Sequence, residues 1–97
     1  MRVIVWGEVT WRHIDDADLF AGITPTSYVT NGATVPPAGN LPVTVFPICD
    51  KQPETTRERA NHYTLVHNAD ALICVGKNEH LVELAKRYEL PVYEVGR

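Results

Sequence analysis

Two short apolar runs constrain this chain most. Val3-Ile4-Val5-Trp6 runs without a polar break into Gly7, and Ala71-Leu72-Ile73-Cys74-Val75 runs into Gly76. A strand with one wet face alternates apolar and polar residues. A strand that is apolar at every position is buried on both faces, which is typical of parallel sheets covered by helices on each side. The residues after Gly76 fit that pattern. Asn78 is a good N-cap. Leu81, Leu84, Ala85 and Tyr88 then stand at i, i+3, i+4 and i+7, one apolar stripe of a helix. Glu79, Glu83 and Arg87 form an i, i+4 ladder on another face. Leu90-Pro91 stops that helix, and Val92-Tyr93-Glu94-Val95 reads as a last strand.

Upstream, Thr55-Thr56-Arg57-Glu58 has the spacing of a capping box. It predicts a helix over about 56–67 with Ala60, Tyr63, Leu65 and Val66 facing inward. Val43-Thr44-Val45-Phe46-Pro47 reads as a strand, and so does the segment 27–31, which ends at the turn signal Asn31-Gly32. A hairpin is excluded there, because Ala33-Thr34-Val35 runs into Pro36-Pro37 and proline cannot donate to a sheet ladder. The segment 33–42 is therefore read as a loop. A short helix over 14–20 would turn Ile14, Ala17, Leu19 and Phe20 inward and three aspartates outward. The second half is plainly β-α-β-α-β, and such crossovers are right-handed. Together these signals predict one α/β domain over 1–97. Its expected form is a small Rossmann-like three-layer open sheet of about five mostly parallel strands, in the order 3-2-1-4-5.

Charge narrows the function. Nine Lys and Arg against twelve Asp and Glu leave a formal charge of −3. Binding nucleic acid through a basic field needs the opposite surplus. No apolar run approaches the roughly 20 residues of a membrane span. The first residues lack the basic cluster, long apolar stretch and cleavage site of a leader. Two cysteines, Cys49 and Cys74, make no disulfide framework. The expectation is a cytoplasmic protein with no nucleic-acid or membrane partner.

In open α/β sheets, ligands bind outside the carboxyl ends of the strands, at the point where strand order reverses. Gly7, Asn31-Gly32 and Gly76 all follow predicted strands and converge on that edge. Gly76-Lys77-Asn78 joins a buried strand to a helix N-terminus, where backbone N–H groups and the helix dipole favour an anion. Lys77 adds charge there and Asn78 adds a capping oxygen. Arg57 and Arg59 open the middle helix and could clamp a phosphate, although a solvated face shared with Glu54 and Glu58 explains them as well. Trp11 follows a strand-end loop and could stack on a base. Glu8, beside the Gly7 strand end, is the best candidate for a catalytic carboxylate, with Glu83 a distant second; Glu8 could serve as a general base or hold a ribose hydroxyl, against the ordinary reading of a surface glutamate. His13, His62, His67 and His80 show no metal pattern, since His62 and His67 are five apart and do not share a helix face. Cys74 and Trp6 read as core residues, and Tyr28 and Tyr63 as half-buried packing residues. No motif specifies a cofactor or a metal.

Several of these phrases, in this order, resemble a known family. Met1-Arg2-Val3-Ile4-Val5 with Gly7 and a following Trp11 looks like the start of YspA-like proteins of the SLOG superfamily, which includes the LOG and Smf/DprA proteins. Leu41-Pro42-Val43-Thr44-Val45-Phe46-Pro47 resembles that family's third-strand phrase. Asn61, eight residues before Ala69-Asp70, matches the spacing of its Arg-Asn motif. Leu90-Pro91-Val92 resembles its last strand. The resemblance implies a Rossmann-like fold that binds a nucleotide or nucleotide-derived ligand at the C-terminal strand edge, and it raises Asn61 as a ligand contact. Some relatives cleave glycosidic or phosphoribosyl bonds, and others only sense.

The departures shape the expectation. After Asn31-Gly32-Ala33, the sequence Thr34-Val35-Pro36-Pro37 replaces the family's glycine- and arginine-containing stretch and leaves no room for its next helix. The family's arginine before Asn61 is Ala60. Its Gly-Gly-x-Gly-Thr loop is reduced to Gly76-Lys77-Asn78. Reduced loops favour binding over turnover. The competing expectations are a nucleoside or nucleotide glycosidic hydrolase or transferase using Glu8, and a structural subunit of a homo-oligomer that covers the face left bare by the missing helix.

Overall fold

The computed structural model describes residues 1–33, 36, 39, 41–51 and 53–96. Among the described residues, five strands and three helices succeed one another as β1 (Arg2–Trp6), α1 (Trp11–Ala21), β2 (Ser27–Thr30), β3 (Val43–Val45), α2 (Glu54–His67), β4 (Ala71–Val75), α3 (Glu79–Arg87) and β5 (Val92–Val95). The strands form one sheet in the order β3-β2-β1-β4-β5. Every pairing is parallel. The chain is thus a small Rossmann-like α/β fold. Because all pairings are parallel, the five carboxyl ends lie along one edge, and strand order reverses between β1 and β4, which puts the switch point at its centre.

Alternation along the central strands divides the core into two layers. Val3, Val5, Ile73, Val75 and Tyr28 face α1, where they meet Ile14, Ala17 and Ile23. Ile4, Val29, Leu72 and Cys74 face the other way, onto Leu65 and Val66 of α2 and Leu81, Val82, Leu84 and Ala85 of α3. The two apolar runs are therefore buried on both faces, as continuous runs should be.

The layers are unequal. Among the described residues, two helices cover one face, and α1, which contacts β4 and β5, is the helix on the other. Tyr28 pairs with Val43 in register and Thr30 with Val45. Paired residues of parallel neighbours point to one face, so Val43 and Val45 lie on the α1 side. They are 45% and 50% exposed. This is the face that a helix between β2 and β3 would occupy. The loop expected over 33–42 lies outside the described residues at 34, 35, 37, 38 and 40.

Three helix expectations need correction. α1 spans Trp11–Ala21 rather than 14–20, and Leu19 and Phe20 point outward, 75% and 72% exposed. Only positions in step with Ile14 and Ala17 reach the sheet. α2 begins at Glu54, with the Pro53 carbonyl accepting from the N–H groups of Thr56 and Arg57 at 2.9 Å. Thr55 therefore lies inside the first turn and does not cap. The inward face of α2 is Asn61, His62, Leu65 and Val66, while Ala60 is half-buried and Tyr63 exposed. In α3 the stripe holds for Leu81, Leu84 and Ala85, but Tyr88 falls just past the last turn and is exposed. Tyr28, expected half-buried, is fully buried.

Candidate functional site

The switch point is built from Gly7 and Gly76. Gly7 takes a left-handed φ of 85° and packs so close to β4 that a Cβ there would collide with the Val75 carbonyl. The chain leaves β1 through a gap that only a glycine fits. Gly76 is tied to the last strand, its N–H donating to the Val95 carbonyl at 2.8 Å.

In the turn beyond Gly76, Asn78 Oδ1 accepts from the Leu81 N–H at 3.2 Å, the ordinary work of an N-cap. The Asn78 N–H is directed at the Cys74 sulfur. Lys77 Nζ lies 3.3 Å from Glu79 Oε1, with both side chains well exposed. An exposed pair of this kind is worth little, so Lys77 remains available to an incoming anion. Cys74 is a core thiol. Burial first, then Glu94, push its pKa up to about 11, with the Asn78 N–H pulling the other way. It stays protonated at neutral pH.

A second cluster forms where β2 and β3 end. Asn31 is buried and its Oδ1 accepts from the Ala33 N–H at 2.9 Å, while the Gly32 N–H donates to Thr30 Oγ1 at 3.2 Å. These bonds shape the turn from within. On the α2 side, Asn61 Nδ2 donates to the Phe46 carbonyl at 2.7 Å. That bond ties α2 to the end of β3. Its Oδ1 is buried with no hydrogen-bond partner among the described residues. Asn61 and Arg57 line a cavity of about 90 Å³ together with Pro47, Cys49, Ala60 and Thr64. Arg57 Nη1 stands 3.8 Å from Asp50 Oδ1. The cavity combines a cation, an unmatched acceptor and a thiol, which suits a small polar group bearing both an acceptor and a donor.

The predicted residues therefore fall into two groups on one edge. Gly7, Gly76, Lys77 and Asn78 gather at β1 and β4, and Asn31, Gly32, Arg57 and Asn61 at β2 and β3. Glu8 is exposed beside Gly7. Trp11 is the first residue of α1 rather than a loop residue, and its ring is half exposed. Among the described residues, no group of three His, Cys, Asp or Glu side chains is placed to hold a metal ion. No described helix is long and apolar enough to cross a membrane.

Sequence reasoning misses one cluster. His62, 2% exposed, sets its Nδ1 2.8 Å from His80 Nδ1, and the two rings stack with centroids 5.0 Å apart. Trp6, the last residue of β1, meets His62 edge-on at 5.7 Å. Beyond His80 the rings continue through Tyr63 and His67 to Tyr88. A signal for it exists in the sequence. Leu65 and Val66 fix the inward face of α2, and one turn back on that face stand Asn61 and His62.

No family model, curated protein or solved structure matches this chain.

Proposed function

We propose that this chain is a small ligand-binding domain of SLOG-like type that takes a nucleotide or nucleotide-derived molecule at the carboxyl edge of its sheet. One observation carries the reading: Arg57 and the unmatched Oδ1 of Asn61 share a cavity on the same edge as the Gly7–Gly76 switch point. A base or sugar edge offers neighbouring donors and acceptors to such a cavity, and a phosphate suits the N-terminal turn of α3 beside Lys77. Gly76-Lys77-Asn78 is a bare turn, and the Asp50 carboxylate lies 3.8 Å from Arg57 Nη1. Binding without turnover is the simpler function for this equipment. Two cysteines outside any disulfide favour a reducing compartment, the cytoplasm.

Thermal unfolding across a panel of purine and pyrimidine nucleotides tests the reading. A ligand that binds only the folded chain stabilises it by about 2.7 kcal/mol at a hundredfold excess over Kd. The expected result is a concentration-dependent rise in Tm with one nucleotide class. A panel with no rise overturns it. A second reading, a subunit of a homo-oligomer, is favoured by the bare apolar pair Val43 and Val45 on the thinly covered face.

A further inference from the structure

The His62–His80 pair bridges the middle of α2 and the first turn of α3. Two Nδ1 atoms 2.8 Å apart make a hydrogen bond only if one carries a proton and the other does not. Glu58 Oε1 lies 3.8 Å from His62 Nε2. A carboxylate there favours the proton on Nε2, which leaves Nδ1 of His62 as the acceptor and the Nδ1–H of His80 as the donor. Among the described residues the His62 side chain has no other hydrogen-bond partner: its Nε2 is buried and unmatched, and its ring is walled by Trp6. The pair can take one added proton and keep the bond. A second added proton sets N–H against N–H at 2.8 Å, and two cations then face each other across the helix seam.

We propose that His62 and His80 form a proton-operated latch between α2 and α3, closed at neutral pH and opened by acid. His80 is the second residue of α3 and stands two positions after Asn78, the N-cap. Opening the latch therefore loosens the first turn of α3, which follows directly on the strand-end turn Gly76-Lys77-Asn78.

Burial and the charged neighbours together lower the His62 pKa. Burial does most to hold the His62 pKa below its ordinary value of 6.5; His80 and Arg59 lower it further and Glu58 opposes. From α3, Glu79, Glu83 and Arg87 line the groove that His80 shares with Arg59 and Tyr63. Arg87 is held by Glu83 at 3.5 Å, and Glu79 by Lys77 at 3.3 Å. A histidine whose folded pKa is lowered contributes stability that is complete above the unfolded value and is lost as pH falls below it. The latch stands independently of any ligand at the edge.

The test follows the full chain from about pH 7.5 to about pH 5, by amide NMR and by thermal unfolding. In the wild type, the amides of residues 76–80 and 62 should shift together while the sheet stays folded, and Tm should fall. His80→Gln keeps a donor for His62 Nδ1 but cannot charge. It should retain the neutral-pH Tm to within a few degrees and lose at least half of the acid-induced fall. His62→Gln should likewise flatten the profile. If that variant does not fold, His80→Gln decides alone. Unmoved amides at 76–80 in the wild type overturn the latch, and so does a His80→Gln profile as acid-sensitive as the parent.

Discussion

Gly7 fixes where the chain may turn at the centre of the edge. Its left-handed backbone and its approach to the Val75 carbonyl are two separate demands, one conformational and one steric. Gly22 makes only the first. It ends α1 with φ 67°, and a Cβ there would meet nothing. Alanine at Gly22 should therefore cost about 1–2 kcal/mol, the usual penalty of the left-handed region. Alanine at Gly7 should cost more than about 3 kcal/mol, because β1 and β4 must also separate. Equilibrium denaturation of the two variants checks the contrast, and equal losses would show that the close approach does not matter. That Gly7 ends a strand is legible in the sequence. Its contact with Val75 is not, because that depends on strands almost seventy residues apart.

Among the helices and strands, legibility tracks burial. β1, β4 and α3 are readable because their apolar residues outnumber any alternative pattern. α2 is harder, because its apolar pattern points to the wrong phase. Its inward face holds Asn61 and His62, whereas equating inward with apolar selects Ala60 and Tyr63 instead. Both polar residues have reasons to be inside: Asn61 pins the Phe46 carbonyl, and His62 pairs with His80. The start of α2 is hidden for a related reason. Pro53 supplies a carbonyl where a threonine side chain is the expected cap. In α1, Thr10 N–H donates to His13 Nδ1 at 3.0 Å, one arm of a capping box formed with histidine instead of glutamate. Local rules name the common partner, and the fold here uses less common ones.

The sheet determines what the molecule as a whole can do. Five parallel strands with one switch point give a single edge to which Gly7, Gly32, Arg57, Asn61 and Gly76 all belong, although they span the chain. The same topology leaves β3 at the margin, with Val43 and Val45 on the part of that face that α1 does not reach. If a second copy covers that strip, size-exclusion with light scattering should report a dimer for the parent and a monomer for Val43→Lys/Val45→Lys. A monomeric parent removes the oligomer reading and leaves the ligand reading untouched. The sharpest test of a ligand at the carboxyl edge is an amide NMR titration with the nucleotide that raises Tm most. Saturable shifts are expected at Gly7, Gly32, Arg57, Asn61 and residues 76–78, with α1 near Leu19 and Phe20 unchanged. Shifts confined to α1, or none at that edge, would rule out a binding site there.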